Sequence, residues 1–117
     1  MSITYDDIVN AQKTQDNVIR KTSLTFSDTF TQLTGSTVYL KNEFEQKTGS
    51  FKLRGAYHKI KTLSEEERKN GVVAASAGNH AQGVAFASMI EKIKCTIVMP
   101  NNASPEKLLL QGDMSQQ

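Results

Sequence analysis

The sequence predicts an α/β fold, an incomplete open parallel sheet of three strands with flanking helices. Three observations predict it. Short strand-like runs, TVYLKNEF (37–44), VVAAS (72–76) and CTIVMP (95–100), alternate with stretches of helical spacing. The last two runs are apolar at nearly every position, as in strands covered on both faces. Turn residues, among them Gly35, Gly49, Gly71 and Pro100, punctuate the elements. Alternating strands and helices imply βαβ units.

In order along the chain, Thr4 followed by Asp6 and Asp7 marks a helix start. Ile8, Ala11, Gln15, Val18 and Ile19 then lie on one helical stripe. A short second helix over 27–33 ends at Gly35, which suits a left-handed cap. Residues 37–44 read as a strand and EQKTGS as a polar loop. SFKLRGAYHKIKTL is helical through Leu53, Ala56, Tyr57 and Ile60, and SEEERKN is a charged helical turn closed by Gly71. VVAAS is a buried strand, AGNH a turn, and 81–93 a helix. CTIVMP is the last strand, stopped by Pro100.

The bulk numbers bound the function. With 117 residues, the chain forms one domain at most. Its 38% hydrophobic and 22% charged content is that of a soluble globular protein. A net charge of +2, with acidic residues interspersed among the basic ones, argues against nucleic acid. No apolar run approaches the ~18 residues of a membrane span, and MSITYDDIVN is acidic and lacks a signal-peptide core. Cys95, the single cysteine, lies in the apolar run CTIVM and reads as a buried, reduced thiol. The expected compartment is the cytoplasm. His58, His80 and Cys95 have no metal-ligand spacing, and GNHAQG lacks the glycine order of a dinucleotide site.

Two loops carry the chemistry. KTGSFK and SAGNHAQG each follow a predicted strand and open a predicted helix. In a parallel sheet with right-handed crossovers both emerge at the carboxyl edge and face one crevice. In the second loop, Ser76, Gly78, Asn79 and His80 bring N–H groups and short polar side chains to a helix start, which suits an anion such as a substrate carboxylate. The loop alone is equally an ordinary polar helix cap. Gly83 is expected to let its helix pack closely on the sheet. Lys52 is either a solvated lysine or an amine that forms an imine, which must first give up its proton. Partial burial beside Phe51 and a helix start nearby favour that loss. Arg54, two residues on, points elsewhere and is structural. His80 is a hydrogen-bonded helix-start residue, and His58, among lysines, is solvated.

SFKLRGA, VVAAS and SAGNHAQG, in this order and spacing, resemble the fold-type II pyridoxal-phosphate enzymes, most closely the catabolic-type threonine dehydratases (threonine ammonia-lyases). The resemblance runs over VYLKNEFEQKTGSFKLRGAYHKI, GVVAASAGNHAQGVAFA and IVMP. It implies pyridoxal 5'-phosphate as cofactor and an amino-acid substrate. Lys52 matches the lysine that holds the cofactor as an imine and shuttles the α-proton. Phe51 matches the aromatic residue on the cofactor ring, and Asn79 the amide on its ring hydroxyl. Ser76, Gly78, Asn79 and His80 match the loop gripping the substrate carboxylate. The implied reaction converts L-threonine (or more slowly L-serine) to 2-oxobutanoate (or pyruvate) and ammonia. Leu53 stands where threonine and cysteine synthases usually carry aspartate. Serine racemases, the alternative within the family, typically have a serine where this chain has Ala77. Full-length relatives are expected to be homo-oligomers.

The chain also departs from the family. Ser23 replaces a usual proline, a mild loop change. The glycine-rich loop for the cofactor phosphate and the partner of the pyridine nitrogen have no counterpart in the 117 residues. Residues 1–103 thus read as a partial enzyme domain and 104–117 as a non-family tail. Where the family continues P-x-x-K-x-x-A-T-R-G-Y, this chain has SPEKLLLQGDM. The codons GCT ACA AGG GGA TAT G encode A-T-R-G-Y, and one base later they encode L-Q-G-D-M, which is Leu110 to Met114. A frameshift near Ala103 accounts for the tail, and a non-catalytic truncated remnant is the competing class. The final QGDMSQQ is expected to be frayed.

Overall fold

The computed structural model describes residues 2–15 and 17–101. The tail over 104–117, its expected fraying and the frameshift point near Ala103 lie outside the described residues. Helix α1 spans Tyr5–Thr14 and opens with a reciprocal cap. The Asp7 N–H donates to Thr4 Oγ1 (3.3 Å), and the Thr4 N–H donates to Asp7 Oδ2 (2.9 Å). The helix ends earlier than the predicted stripe, because Asn17 adopts a left-handed φ of 69°. Val18 and Ile19 lie beyond it and still pack on the core. Helix α2, Asp28–Thr34, is capped by Ser27 and closed by Gly35 at φ 68°, as its sequence predicts.

The strand arrangement differs from the predicted three-stranded parallel sheet. Strand β1 (Leu24–Phe26), which sequence reading missed, pairs antiparallel with β2 (Tyr39–Lys41). Strand β2 is the short core of the predicted 37–44 strand, and residues Glu43–Glu45 form a 3-10 turn instead. The physical reason lies in its sequence. Lys41 and Asn42 follow Tyr39 and Leu40, and a strand covered on both faces cannot bury such groups. All three β2 residues are exposed. After helices α3 (Lys52–Lys61) and α4 (Glu65–Asn70), the parallel sheet holds, among the described residues, β3 (Val72–Ala75) and β4 (Cys95–Val98). Their register runs from Val72 beside Cys95 to Ala75 beside Val98.

Helix α5 (Asn79–Glu91) joins β3 to β4 and starts two residues before its predicted limit. One sheet face packs on the core through Val72, Ala74, Cys95 and Ile97. The other leaves Val73 at 74% and Val98 at 54% exposure, so among the described residues the expected two-sided cover is not found. Cys95 is a free thiol, half-buried rather than buried. Gly71 closes α4 at φ 81°, where a Cβ would lie 2.6 Å from the Lys94 carbonyl oxygen. No described helix is long and apolar enough to cross a membrane.

The core sits between α3 and α5. Leu53, Ala56, Tyr57 and Ile60 form the predicted i, i+3, i+4, i+7 stripe, facing Val84, Ala87, Ala74 and Ile93. Small residues at Ala56, Gly83 and Ala87 let the two helices approach closely. Burying Leu53 completely contributes about 2 kcal/mol.

A polar clasp joins the far ends of the helices. Glu91 accepts hydrogen bonds from Tyr57 Oη (2.7 Å), Lys61 Nζ (3.1 Å) and Arg68 Nη2 (3.2 Å). Burial pushes its carboxyl up, but these three donors outweigh it and hold the group below its ordinary range. Burial, together with the bond to Glu91, drives the Tyr57 phenol up to about 12.

Helix α1 docks on α3 through Gln15 Nε2, which donates to the Arg54 carbonyl (3.0 Å), and through Thr14 and His58. His58 is therefore half-buried and bonded, not solvated as its lysine neighbours suggest. The single Thr14 hydroxyl proton goes to the Ala11 carbonyl (2.7 Å), so His58 Nδ1 must be the donor across the 2.8 Å contact.

Candidate functional site

Helices α1, α2 and α4 each begin with a side-chain cap, from Thr4, Ser27 and Ser64. Helices α3 and α5 have none. These two uncapped starts hold the residues singled out by sequence, and their first N–H groups are left for other acceptors.

The loop before α3 is anchored by the buried Gln46. Its Oε1 accepts the N–H groups of Arg20 (3.0 Å) and Lys47 (3.1 Å), and its Nε2 donates to the Arg20 carbonyl (2.9 Å). Gly49 turns the chain at φ 68°, a conformation that a side chain would oppose. Phe51 is 59% exposed, and Lys52 Nζ lies 5.1 Å from its ring centroid. Lys52 is likewise exposed, so the partial burial expected beside Phe51 is not found. Among the described residues, the buried hydroxyls of Thr48 and Ser50 have no hydrogen-bond partner. An unmet buried hydroxyl costs about 1–3 kcal/mol. Sequence reading missed both hydroxyls. It also missed Lys47, whose Nζ stands 5.9 Å from the Phe86 ring centroid and ties the loop to α5.

The second loop leaves β3 at Ser76, whose N–H donates to the Val98 carbonyl (3.0 Å) while its Oγ accepts from the Gly78 N–H (3.2 Å). A Cβ at Gly78 would meet nothing within 4 Å, so the backbone there faces open space. Asn79 and His80 form the first turn of α5 and are exposed. The hydrogen bond expected of His80 is not seen among the described residues.

The two loops meet by a route the sequence did not suggest. Strand β2 belongs to the separate antiparallel ribbon, so the loops do not share one sheet edge. Instead Gly83 of α5 lies on the peptide joining Lys52 to Leu53. A Cβ at Gly83 would be 3.1 Å from the Lys52 carbonyl carbon and from the Leu53 nitrogen. Gly83 therefore packs on α3, correcting the expectation that it packs on the sheet. Four residues separate Gly83 from Asn79, so the start of α5 is about 6 Å along the axis from this contact.

Arg54 is structural, as its position suggests. Its Nε and Nη2 clamp the Glu43 carboxylate at 2.9 and 2.7 Å, and Thr22 Oγ1 donates to the same group (2.7 Å). The Arg54 hydrogen bonds outweigh burial and hold Glu43 below its usual range. This clamp fixes α3 to the segment that follows β2. Ser23 donates to Glu45 through both its N–H (2.8 Å) and its hydroxyl (2.7 Å), and a proline at this position could make neither bond.

The family model of the pyridoxal-phosphate dependent enzymes matches residues 16–114. The chain is 59% identical over 106 residues to L-threonine ammonia-lyase of Thermotoga maritima, covering 91% of this chain and 26% of that relative. It is 40% identical over 121 aligned positions to the catabolic L-threonine dehydratase of Escherichia coli K12, covering 98% of this chain and 37% of the relative. The crystal structure of serine racemase from Dictyostelium discoideum superposes with a TM-score of 0.88 at 41% identity, over 97% of this chain and 37% of that one. The chain thus spans 26% and 37% of the length of these two relatives. On the family match, the sequence identities and the shared fold, this chain belongs to the pyridoxal-phosphate dependent enzymes.

Proposed function

We propose that this chain carries the lysine-bearing part of a site that removes the β-hydroxyl and the amino group of L-threonine, and more slowly of L-serine. The products are 2-oxobutanoate or pyruvate, with ammonia. The observation that carries this reading is the packing of the Lys52 peptide on Gly83, about one turn from the uncapped start of α5. It brings an exposed amine and a set of free N–H groups into one neighbourhood.

The residues present fit the ring and aldehyde end of pyridoxal phosphate. Support comes from the exposed Lys52 amine beside the Phe51 ring and from the open space at Gly78. When bound, the cofactor supplies an electron sink for charge developing at the substrate α-carbon. Lys52 holds the cofactor and afterwards moves the α-proton at its Nζ. Phe51 packs on the ring, and the Asn79 amide meets its hydroxyl. The substrate carboxylate is held at the start of α5 by the N–H groups of Asn79 and His80 and the helix dipole, with Ser76 offering its hydroxyl and Gly78 leaving room for close approach. Ala77 has no proton to deliver to the opposite face, which favours elimination over the racemisation named for the Dictyostelium relative. We place the activity in the cytoplasm and in amino-acid metabolism, where 2-oxobutanoate feeds isoleucine biosynthesis, with the full-length form a homo-oligomer.

A complete enzyme of this family carrying these 117 residues tests this reading. It should form 2-oxobutanoate and ammonia from L-threonine, and Lys52→Ala should abolish both. Turnover that survives Lys52→Ala would overturn the assignment. A second reading, a non-catalytic remnant, is favoured for the 117-residue chain itself by the sheet face exposed among the described residues.

A further inference from the structure

We infer that Gly83 is a positioning residue for Lys52: the missing side chain on α5 sets where the first turn of α3 lies, and so where the amine stands. The inference rests on the cofactor role proposed for Lys52, but its geometry is independent of that role. A Cβ at Gly83 would meet the Lys52 carbonyl carbon (3.1 Å), the Lys52 oxygen (3.2 Å) and the Leu53 nitrogen (3.1 Å). All three are backbone atoms, so no side-chain rotation relieves the contact. Leu53, Ala56, Tyr57 and Ile60 are buried in the core, which prevents the first turn from simply peeling away. The Glu91 clasp holds the other end of the same two helices. Adding one methyl group must therefore tilt or slide the start of α3 by a few tenths of an ångström, and Lys52 moves with it.

Gly55 is the control. It lies in α3 three residues past Lys52, has no positive φ, and a Cβ there would meet nothing within 4 Å. The same substitution, Gly→Ala, thus probes the contact at one site and mere helix propensity at the other.

The experiment incubates the 117-residue chain and its Gly83→Ala and Gly55→Ala variants with pyridoxal phosphate, fixes adducts with borohydride, and measures by mass spectrometry the label on Lys52 relative to Lys47. A misplacement of 1 Å at a reacting group can cost on the order of 10²-fold, so a smaller shift should lower this ratio roughly three- to ten-fold in Gly83→Ala. The ratio should stay unchanged in Gly55→Ala. An unchanged ratio in Gly83→Ala, or an equal fall in both variants, overturns the inference. Hydrogen exchange of the Leu53 amide in the unmodified chain is the second measurement. At the second position of α3 this N–H has no intrahelical acceptor, yet Gly83 covers it. If Gly83→Ala does not fold, or the unmodified chain shows no preference for Lys52, this amide decides. Slow exchange upholds the contact and exchange at the rate of an open peptide overturns it.

Discussion

Glu91→Gln isolates the clasp at the far ends of α3, α4 and α5. The carboxylate is 8% exposed and faces Tyr57, Lys61 and Arg68. Gln preserves the shape and keeps one oxygen acceptor, so the Tyr57 bond can persist. It removes the charge and turns an NH₂ group toward a cationic donor. A hydrogen bond to a charged group is worth about 1 kcal/mol more than a neutral one. Lys61 is 47% exposed, so its share is reduced by solvent screening, while Arg68 at 26% keeps more. The expected loss is about 1–2 kcal/mol at neutral pH, or roughly 1 M in urea midpoint for a domain of this size.

The sign of its pH dependence follows from the depressed carboxyl. A group held below its unfolded value of 4.5 contributes stability above that pH and loses it as pH falls through the folded value. The difference between the two proteins should therefore be full at pH 7 and narrow below about pH 4.5. Urea unfolding followed by far-ultraviolet circular dichroism at pH 7 and pH 3.5 measures it. A difference that stays constant across this range would refute the charge-based account of the clasp.

Three further outcomes are expected. Glu43→Gln should weaken the Arg54 clamp and destabilise the chain by about 1–2 kcal/mol, read by the same urea assay. Gly71→Ala should cost about 2–3 kcal/mol, because a left-handed backbone meets the Lys94 carbonyl oxygen, whereas Gly35→Ala, with open space around it, should cost about 1 kcal/mol. With Ala77 in the loop, the full-length form should release 2-oxobutanoate from L-threonine with little D-serine formed from L-serine. Chiral chromatography of the product checks this, and appreciable D-serine would show another source of the second-face proton.

Local signals in the sequence were legible because they act over a few residues. The Thr4 start, the Gly35 and Gly71 stops and the Leu53, Ala56, Tyr57, Ile60 stripe depend on capping and periodicity alone. The β1–β2 ribbon was not read, although Leu24, Thr25 and Phe26 are good strand formers between two serines. Three residues give too little alternation to separate a strand from a loop. Pairing partners are also non-local, so β2 was assigned to the wrong sheet. At the site, the two motifs were found by their pattern, but the reason they meet was not. Gly83 touching Lys52 is a tertiary contact between residues 31 positions apart, and spacing within one helix says nothing about it. The exposure of Lys52 was misjudged for the same reason, since Phe51 points outward beside it instead of covering it.

On the remnant reading, the 117-residue chain should show no Lys52-dependent turnover of L-threonine when 2-oxobutanoate is followed, since the sheet face bearing Val73 and Val98 is exposed among the described residues. Measurable turnover lost in Lys52→Ala would reject the remnant reading.

The central claim is that Lys52 is the cofactor lysine, and peptide mapping of the borohydride-reduced, cofactor-bound full-length form tests it most directly. The chain offers fourteen lysines and arginines in total, with Lys47 and Lys59 the nearest competing amines in sequence. The account predicts a single reduced pyridoxyl group, on Lys52. Label on Lys47 or Lys59 with Lys52 unmodified would contradict it.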